Sequence, residues 1–323
     1  MNMQNKSIDV SFIIPTKNSE TTIKKCLEAI TNQQTNLLYE IIIVDGGSSD
    51  KTIEIAKSYN VRIFVCDGFV SKARKFGVNA AHGKYVAFVD SDVYISKNWL
   101  ENIILTIKNF KIEGAIGKVV TGDSIMKRYS NISFPFSQDK RFWIRDCFPT
   151  VNTVILKERI IKVGNFDDSL TSSEDGDLTK RLLDNGFNFM FEPSAVCYHD
   201  YDASLKSMIK RDIWYTKGIF ICMLRYGIKS WFFKVFTIKL LASIIFFIFL
   251  LLLLFIPEII ILSAVFFILF LGSYSLIKCF QTKNKGWLIY LPMFIFNRIS
   301  FIIASLSSIY FYIYIFSKNI KNK

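Results

Sequence analysis

Ile41–Asp50 reads I-I-I-V-D-G-G-S-S-D, and Tyr85–Asp92 reads Y-V-A-F-V-D-S-D. Each is a short apolar run that ends abruptly at an acid. A continuous apolar run of this length, bounded by turn residues, predicts a strand buried on both faces, as in a parallel sheet. Working outward, residues 8–14 predict a like strand that Pro15 is expected to stop, and residues 61–65 another. Between them the spacing turns helical. Thr21 or Thr22 can cap a helix carrying Ile23, Leu27 and Ile30, and Ser48, Ser49 and Asp50 offer a cap for one through Ile53, Ile55 and Ala56. Residues 71–81 predict a further helix, broken by Gly83. Leu178, Leu182 and Leu183 predict another, closed by Gly186. Strand and helix alternating at this pace predict an α/β fold with a parallel sheet and right-handed crossovers. Ligands of such sheets bind beyond the carboxyl ends of the strands.

Residues 111–165 give a weaker pattern, punctuated by Gly114, Gly117, Gly122, Pro135 and Pro149. Within it Arg141–Asp146 (R-F-W-I-R-D) fits either an acceptor-side loop or a partly buried strand.

Three acidic sites fall at or just after the expected strand ends. Asp45 before Gly46-Gly47 suits a ligand contact, although a strand-ending turn is the commoner reason for an Asp there. Asp90 and Asp92, one residue apart, can address one hard cation, Mg²⁺ or Mn²⁺, which prefers oxygen ligands and bridges phosphate oxygens. Glu174-Asp175 lies in S-S-E-D-G-D. Either can act as a general base, while Ser173, Asp175 or Asp177 can equally serve as a helix N-cap. His199, in C-Y-H-D after an expected strand, is a candidate for a metal or pyrophosphate contact, the commoner role of a lone histidine being structural.

The net charge of +13 is uneven. Residues 1–200 carry 25 Lys/Arg against 24 Asp/Glu, whereas residues 201–323 carry 15 against only Asp202, Asp212 and Glu258. From Lys206 to Lys239 there are eight cations and one acid. That excess flanks apolar runs, so it points to anionic lipid at a cytoplasmic membrane face rather than to nucleic acid. The six cysteines have no short spacing pattern and, with only two histidines, compose no zinc cluster. They suit reduced thiols in a cytosol-facing domain. The polar start, M-N-M-Q-N-K-S, has no apolar core of a signal peptide.

Residues 240–257 and 259–277 predict membrane spans around a tip at Pro257-Glu258, with Lys278, Lys283 and Lys285 on the cytoplasmic side. Residues 287–317, divided by Arg298, predict one span or a re-entrant, half-span pair. The expected organisation is a cytoplasmic α/β domain over 1–220, a basic interfacial linker over 221–239, transmembrane helices over 240–317 and a basic tail over 318–323. A transporter is disfavoured, since the spans hold almost no ionisable residue beyond Arg298.

Together P-T-K-N at Pro15–Asn18, I-I-V-D-G-G-S-S-D at Ile42–Asp50, A-R-x-x-G-V-x-x-A-x-G at Ala73–Gly83, F-V-D-S-D at Phe88–Asp92 and G-N-F-D-x-x-L-x-S-S-E-D-x-D-L at Gly164–Leu178 resemble the family 2 inverting glycosyltransferases. The likeness covers about residues 8–218. It implies a GT-A fold, a nucleotide-diphosphate sugar donor and a divalent metal. It further implies that Pro15, Thr16, Asn18 and Asp45 hold the nucleobase and ribose, that Asp90 sits by ribose and metal, and that Asp92 binds the metal. Arg74 would contact the diphosphate, and Asp175 would be the catalytic base with Glu174 beside it. Two departures stand out. Lys75 replaces the Asn that follows the Arg in many relatives. Ile213 stands at the Arg of the Q-x-x-R-W segment of processive members, which favours transfer of a single sugar. Even so, the resemblance leaves Arg211, Trp214 and Lys217 able to close over the diphosphate or the membrane edge, the other reading being an amphipathic interfacial helix. A membrane tether next to such a domain suggests a lipid-linked glycan acceptor. The alternatives are a polyprenyl-phosphate glycosyl synthase and a catalytically silent membrane scaffold.

Overall fold

A computed structural model of the 323-residue chain describes residues 7–122, 135–199 and 205–255. The chain divides into two compact units, residues 1–123 with 134–201, and residues 124–133 with 202–323.

The first unit opens with β1 (Val10–Thr16), α1 (Ile23–Thr31), β2 (Tyr39–Asp45), α2 (Thr52–Ala56), β3 (Arg62–Val65), α3 (Val70–Ala80) and β4 (Tyr85–Val89). The expected alternation is therefore observed, and β3-β2-β1-β4 form a parallel block. Pro15 does not stop β1, which runs on through Thr16 opposite Asp45. The ladder to β4 has already ended at Ile13 opposite Phe88. Beyond that point a missing amide N–H breaks no bond on the β4 side.

After β4 the topology changes. β5 (Val93–Ile95), α4 (Trp99–Phe110), β6 (Gly114–Thr121), β7 (Phe142–Trp143), β8 (Asn152–Leu156), α5 (Lys157–Lys162), α6 (Glu174–Asp184) and β9 (Phe189–His199) follow. β8 pairs antiparallel with β4 and with β6, β9 runs parallel to β6, and β5 and β7 pair antiparallel with β9. The sheet is thus mixed rather than wholly parallel. Phe142-Trp143 answers the two readings of that segment in favour of a short strand. Phe142 stacks on Phe191, and Arg141 pairs with Glu192.

Alternation along each strand supplies two cores. Phe12, Ile14, Ile41, Ile43, Ala87 and Val89 face α1 and α4, while Ile13, Ile42, Val44, Val86 and Phe88 face α3, α5 and α6. This three-layer arrangement follows from strands that are apolar on both faces.

In the second unit α7 (Leu205–Tyr226) and α8 (Trp231–Phe255) are joined by a turn at Gly227, whose φ is +71°. Ser230 caps α8, its Oγ accepting from Phe233 N at 3.1 Å, and Phe220 packs on Phe236. The expected domain boundary at 220 falls inside α7. The stretch 221–239, expected as a linker, is helical on both sides of the 227–230 turn. Among the described residues no helix is long and apolar enough to cross a membrane. The uncharged part of α8 within them is 240–255, 16 residues, against the roughly 20 that a bilayer requires. The expected spans over 259–277 and 287–317, and the tail over 318–323, lie outside the described residues.

Gly117 marks the tightest point of the sheet. The β6–β9 register jumps there from Gly117↔Glu192 to Lys118↔Val196, so Pro193, Ser194 and Ala195 bulge out. A Cβ on Gly117 would lie 2.3 Å from the Ala195 carbonyl oxygen, a backbone atom that cannot rotate away. Gly117→Ala is therefore expected to cost about 1–3 kcal/mol of stability, read as a lowered denaturant midpoint. An unchanged midpoint would mean that the bulge yields.

Candidate active site

The site lies where β1, β2 and β4 release their chains on one edge of the sheet. Thr16 O accepts from Gly46 N at 2.8 Å, which binds the first two loops together. Asn18, at φ +49°, adds three bonds: its N donates to Ser48 Oγ and its Oδ1 accepts from Ser49 N and Ser49 Oγ. Ser19 N donates to Thr52 Oγ1, and Ser19 Oγ meets Ser91 Oγ at 2.9 Å. Pro15, Thr16, Asn18 and Asp45 are thereby gathered into one stitched loop pair beside Asp90.

Asp45 is buried, and its own turn uses its carboxylate. Oδ2 accepts from Gly47 N and Ser48 N, and Oδ1 from Ser48 Oγ. The turn reading of Asp45 is therefore observed; no contact reserved for a ligand is needed to explain its burial. Gly47 is required there on two grounds. Its φ is +81°, and a Cβ would lie 2.7 Å from Asp67 Oδ1.

The first turn of α6 holds Glu174, Asp175 and Asp177. Ser173 precedes it in the left-handed conformation (φ +59°) and makes no side-chain cap bond, so capping is not its work. Asp175 is partly exposed and its Oδ1 accepts from Gly176 N at 2.7 Å. Glu174 points inward and is 2% exposed.

Arg74, on α3, joins the two acidic sites. Its Nη2 donates to Asp90 Oδ1 at 2.7 Å and its Nη1 to Glu174 Oε1. The guanidinium is buried, and its Nε and Glu174 Oε2 lack hydrogen-bond partners. Burial opposes its charge, but Asp90, Glu174 and Asp175 outweigh that and raise its pKa above the ordinary value. Both terminal nitrogens of Arg74 thus face carboxylates. Burial pushes Glu174 up to about 7, Arg74 pulling it back and Asp175 adding to the rise. Burial likewise raises Asp175, against Arg74.

Asp92 Oδ2 lies 3.2 Å from His199 Nε2, both side chains partly open to solvent. Beneath them Cys26 and Cys197 are fully buried, and burial together with Asp90 and Asp92 holds both thiols far above their ordinary range. They are inert as nucleophiles. Arg211 and Trp214 lie on α7, in the other unit, and are not part of the unit that holds the acid cluster.

Sequence reasoning missed the frame around Glu174-Asp175. Arg181 donates to Asp177 Oδ2, to Asn165 O and to Val163 O. Asn165, at φ +62°, reaches Lys75 O and Asn79 Oδ1. Ser71 Oγ donates to Leu170 O at 2.6 Å. The loop 163–173 is therefore pinned between α3 and α6. The i,i+4 spacing of Asp177 and Arg181 was the available signal.

The model for "Glycosyl transferase family 2" matches residues 11–162, which contain β2 through β8, all but the first residue of β1, and Arg74, Asp90 and Asp92. Residues 11–162 match a family 2 glycosyltransferase domain. It is 32% identical over 205 residues to glycosyltransferase AglE of Haloferax volcanii, covering 59% of this chain and 66% of that one. It is 29% identical over 262 residues to a Methanococcus voltae protein named dolichyl N-acetyl-alpha-D-glucosaminyl phosphate 3-beta-D-2,3-diacetamido-2,3-dideoxy-beta-D-glucuronosyltransferase, covering 73% and 81%. Among solved structures, S. aureus TarS 1-349 in complex with UDP matches with a TM-score of 0.51 at 21% identity, over 66% of this chain and 65% of that one. That likeness supports the GT-A-type fold of the family 2 unit.

Replacing Arg181 by Met would leave the fully buried Asp177 without its guanidinium partner and two carbonyls without a donor. The expected loss is about 3–5 kcal/mol, measured by denaturant unfolding. A loss below about 1 kcal/mol, the level of an exposed pair, would show that the frame does not depend on Arg181.

Proposed function

We propose that this chain is a membrane-anchored inverting glycosyltransferase. It moves one sugar from a nucleotide-diphosphate sugar to a lipid-linked glycan acceptor, with a divalent metal assisting. The observation that carries this reading is the Asp90–Arg74–Glu174 bridge, which brings the strand-end acid of β4 to the first turn of α6, where Asp175 follows.

In this reading the loops at Pro15–Asn18 and Asp45 seat the nucleoside. Asp175 takes the proton from the acceptor hydroxyl as its oxygen bonds to the anomeric carbon. The bond from that carbon to the diphosphate breaks on the opposite face, so the configuration inverts. Positioning of the two reactants supplies much of the rate. A carboxylate whose pKa is raised by burial is a stronger base for that step than an ordinary aspartate.

The residues fit a divalent cation. Among the described residues there is no group of three or more His, Cys, Asp or Glu arranged to hold a metal ion. Yet Mg²⁺ and Mn²⁺ of this kind are held by one or two carboxylates and otherwise by phosphate oxygens. Asp92, with its partly open oxygen beside His199, and Asp90 would supply that set. When bound, the cation would neutralise charge developing on the leaving diphosphate.

The nucleotide is supported by the UDP complex of the S. aureus fold neighbour. The acceptor class is supported by the name of the M. voltae relative, a transferase that acts on a dolichyl-phosphate-linked sugar. The anchor, with the catalytic unit on the cytoplasmic side, is supported by eight cations against one acid between Lys206 and Lys239 and by the apolar residues that follow.

Purified protein in lipid, offered UDP- and GDP-sugars with Mn²⁺, is expected to extend a polyprenyl-linked sugar but not bare polyprenyl phosphate. Chelation should abolish transfer, and NMR should show an inverted anomeric centre. Asp175→Asn should lower kcat by about 10²–10⁴-fold. Retained configuration, or full turnover by Asp175→Asn, would sink the proposal.

The pH dependence carries a sign. Asp175 acts deprotonated, so kcat must fall as pH drops through its raised pKa. The acid limb is expected above the ordinary aspartate value of about 4, with a plateau at higher pH. A limb at or below that value would contradict Asp175 as the base.

A further inference from the structure

We infer that Arg74 is a positioning residue, a fixed strut between the strand-end acid Asp90 and the helix that presents Asp175, and not the cation that receives the donor's diphosphate. The inference rests on the transferase reading above and changes the role of one member of that site.

Three observations carry it. First, both terminal nitrogens are occupied. Nη2 lies on Asp90 and Nη1 on Glu174, and the side chain is only 6% exposed. Nε and one N–H of each terminal nitrogen remain, but at this burial a phosphate oxygen could reach them only by opening the cluster and loosening carboxylates from their buried partner, which is unfavourable. Second, the local charge is wrong for phosphate. One guanidinium faces Asp90, Glu174 and Asp175, so a diphosphate approaching it meets surplus negative charge. Third, the geometry joins two elements distant in sequence. Arg74 is 16 residues from Asp90 and 100 from Glu174. A planar fork is rigid and holds two carboxylates at a set separation, which a lysine ammonium does not reproduce. Glu174 is directly followed by Asp175, so the fork sets where α6 begins relative to β4. It thereby sets the distance from the bound donor to the base.

The test is a split between binding and turnover in the full chain. Isothermal titration with UDP and with GDP, each with Mn²⁺ and without acceptor, gives Kd; transfer assays give kcat. For Arg74→Lys, Kd is expected to stay within about 3-fold of wild type. kcat should fall by about 10–100-fold, the size of effect a displacement near 1 Å produces. A second comparison separates positioning from folding. Arg74→Met alone leaves Glu174 and Asp90 without their cation and should lower Tm. The pair Arg74→Met with Glu174→Gln should recover much of that loss, because the buried charge is gone, while kcat stays low. Weakening of Kd by 10-fold or more in Arg74→Lys, with kcat kept, overturns the inference and restores the diphosphate contact. Recovery of kcat together with Tm in the double variant also overturns it, since Arg74 would then serve folding alone. A wild-type chain that binds neither diphosphate and transfers no sugar removes the transferase reading, and the inference falls with it.

Discussion

A guanidinium cannot be taken out of water without carboxylates to meet it, since an unpaired buried charge costs several kcal/mol. Arg74 is buried. That one requirement forces the end of β4 and the start of α6 onto α3, and most features of the site follow. Glu174 must turn inward, so the residue after it faces the open side. The loop that delivers Glu174 has to arrive in a fixed place, and it is held there by Ser71, Asn165 and Arg181. Ser173 and Asn165 adopt the left-handed conformation to make the approach, a local cost that the surrounding bonds offset. The same cluster raises Glu174 and Asp175 through burial. A single electrostatic constraint thus shapes both the geometry and the basicity of the proposed base.

The parallel half of the fold was legible because its strands are buried on both faces, and such strands show as unbroken apolar runs. Ile41–Val44 and Val86–Val89 announce themselves this way. The other half was obscure for the opposite reason. β6 carries Gly114 and Gly117, where a Cβ would lie within 2.5 Å of backbone oxygens of Val154 and Ala195. Glycines that permit close strand approach look, in sequence, like loop residues. β5 and β7 are three and two residues long, too short to show a period. Pro15 misled for a related reason, since proline ends a strand only where a partner awaits its N–H.

The acids of the site were legible by type and by position, at strand ends and at one helix start. Their partners were not. Nothing in A-R-K-F at Ala73–Phe76 tells whether the arginine faces a phosphate or two carboxylates, because that depends on where α6, a hundred residues later, begins. Asp92 and His199 belong to the same class. Their meeting depends on β5 pairing with β9, Val93 opposite His199, a contact between chain segments over a hundred residues apart.

The second unit raises a different physical demand. From Leu240 to Phe255 the only polar side chain is Ser243, and its Oγ folds back onto Lys239 O at 2.8 Å. A helix that is apolar on every side has no face suited to water, and Leu241, Ile244, Ile245 and Ile248 are exposed here. Upstream of that stretch the same helix carries its two cations, Lys234 and Lys239. The arrangement changes from basic to apolar along one continuous helix. Under the membrane anchorage proposed above, that gradient would run from a headgroup layer into hydrocarbon, where cations gain from anionic lipid and apolar side chains lose contact with water. Under the anchorage proposed above, the chain would meet a lipid-linked acceptor in two dimensions rather than three, which raises how often the two meet, whereas the positioning proposed for Arg74 concerns only how well the acceptor hydroxyl is met once it arrives.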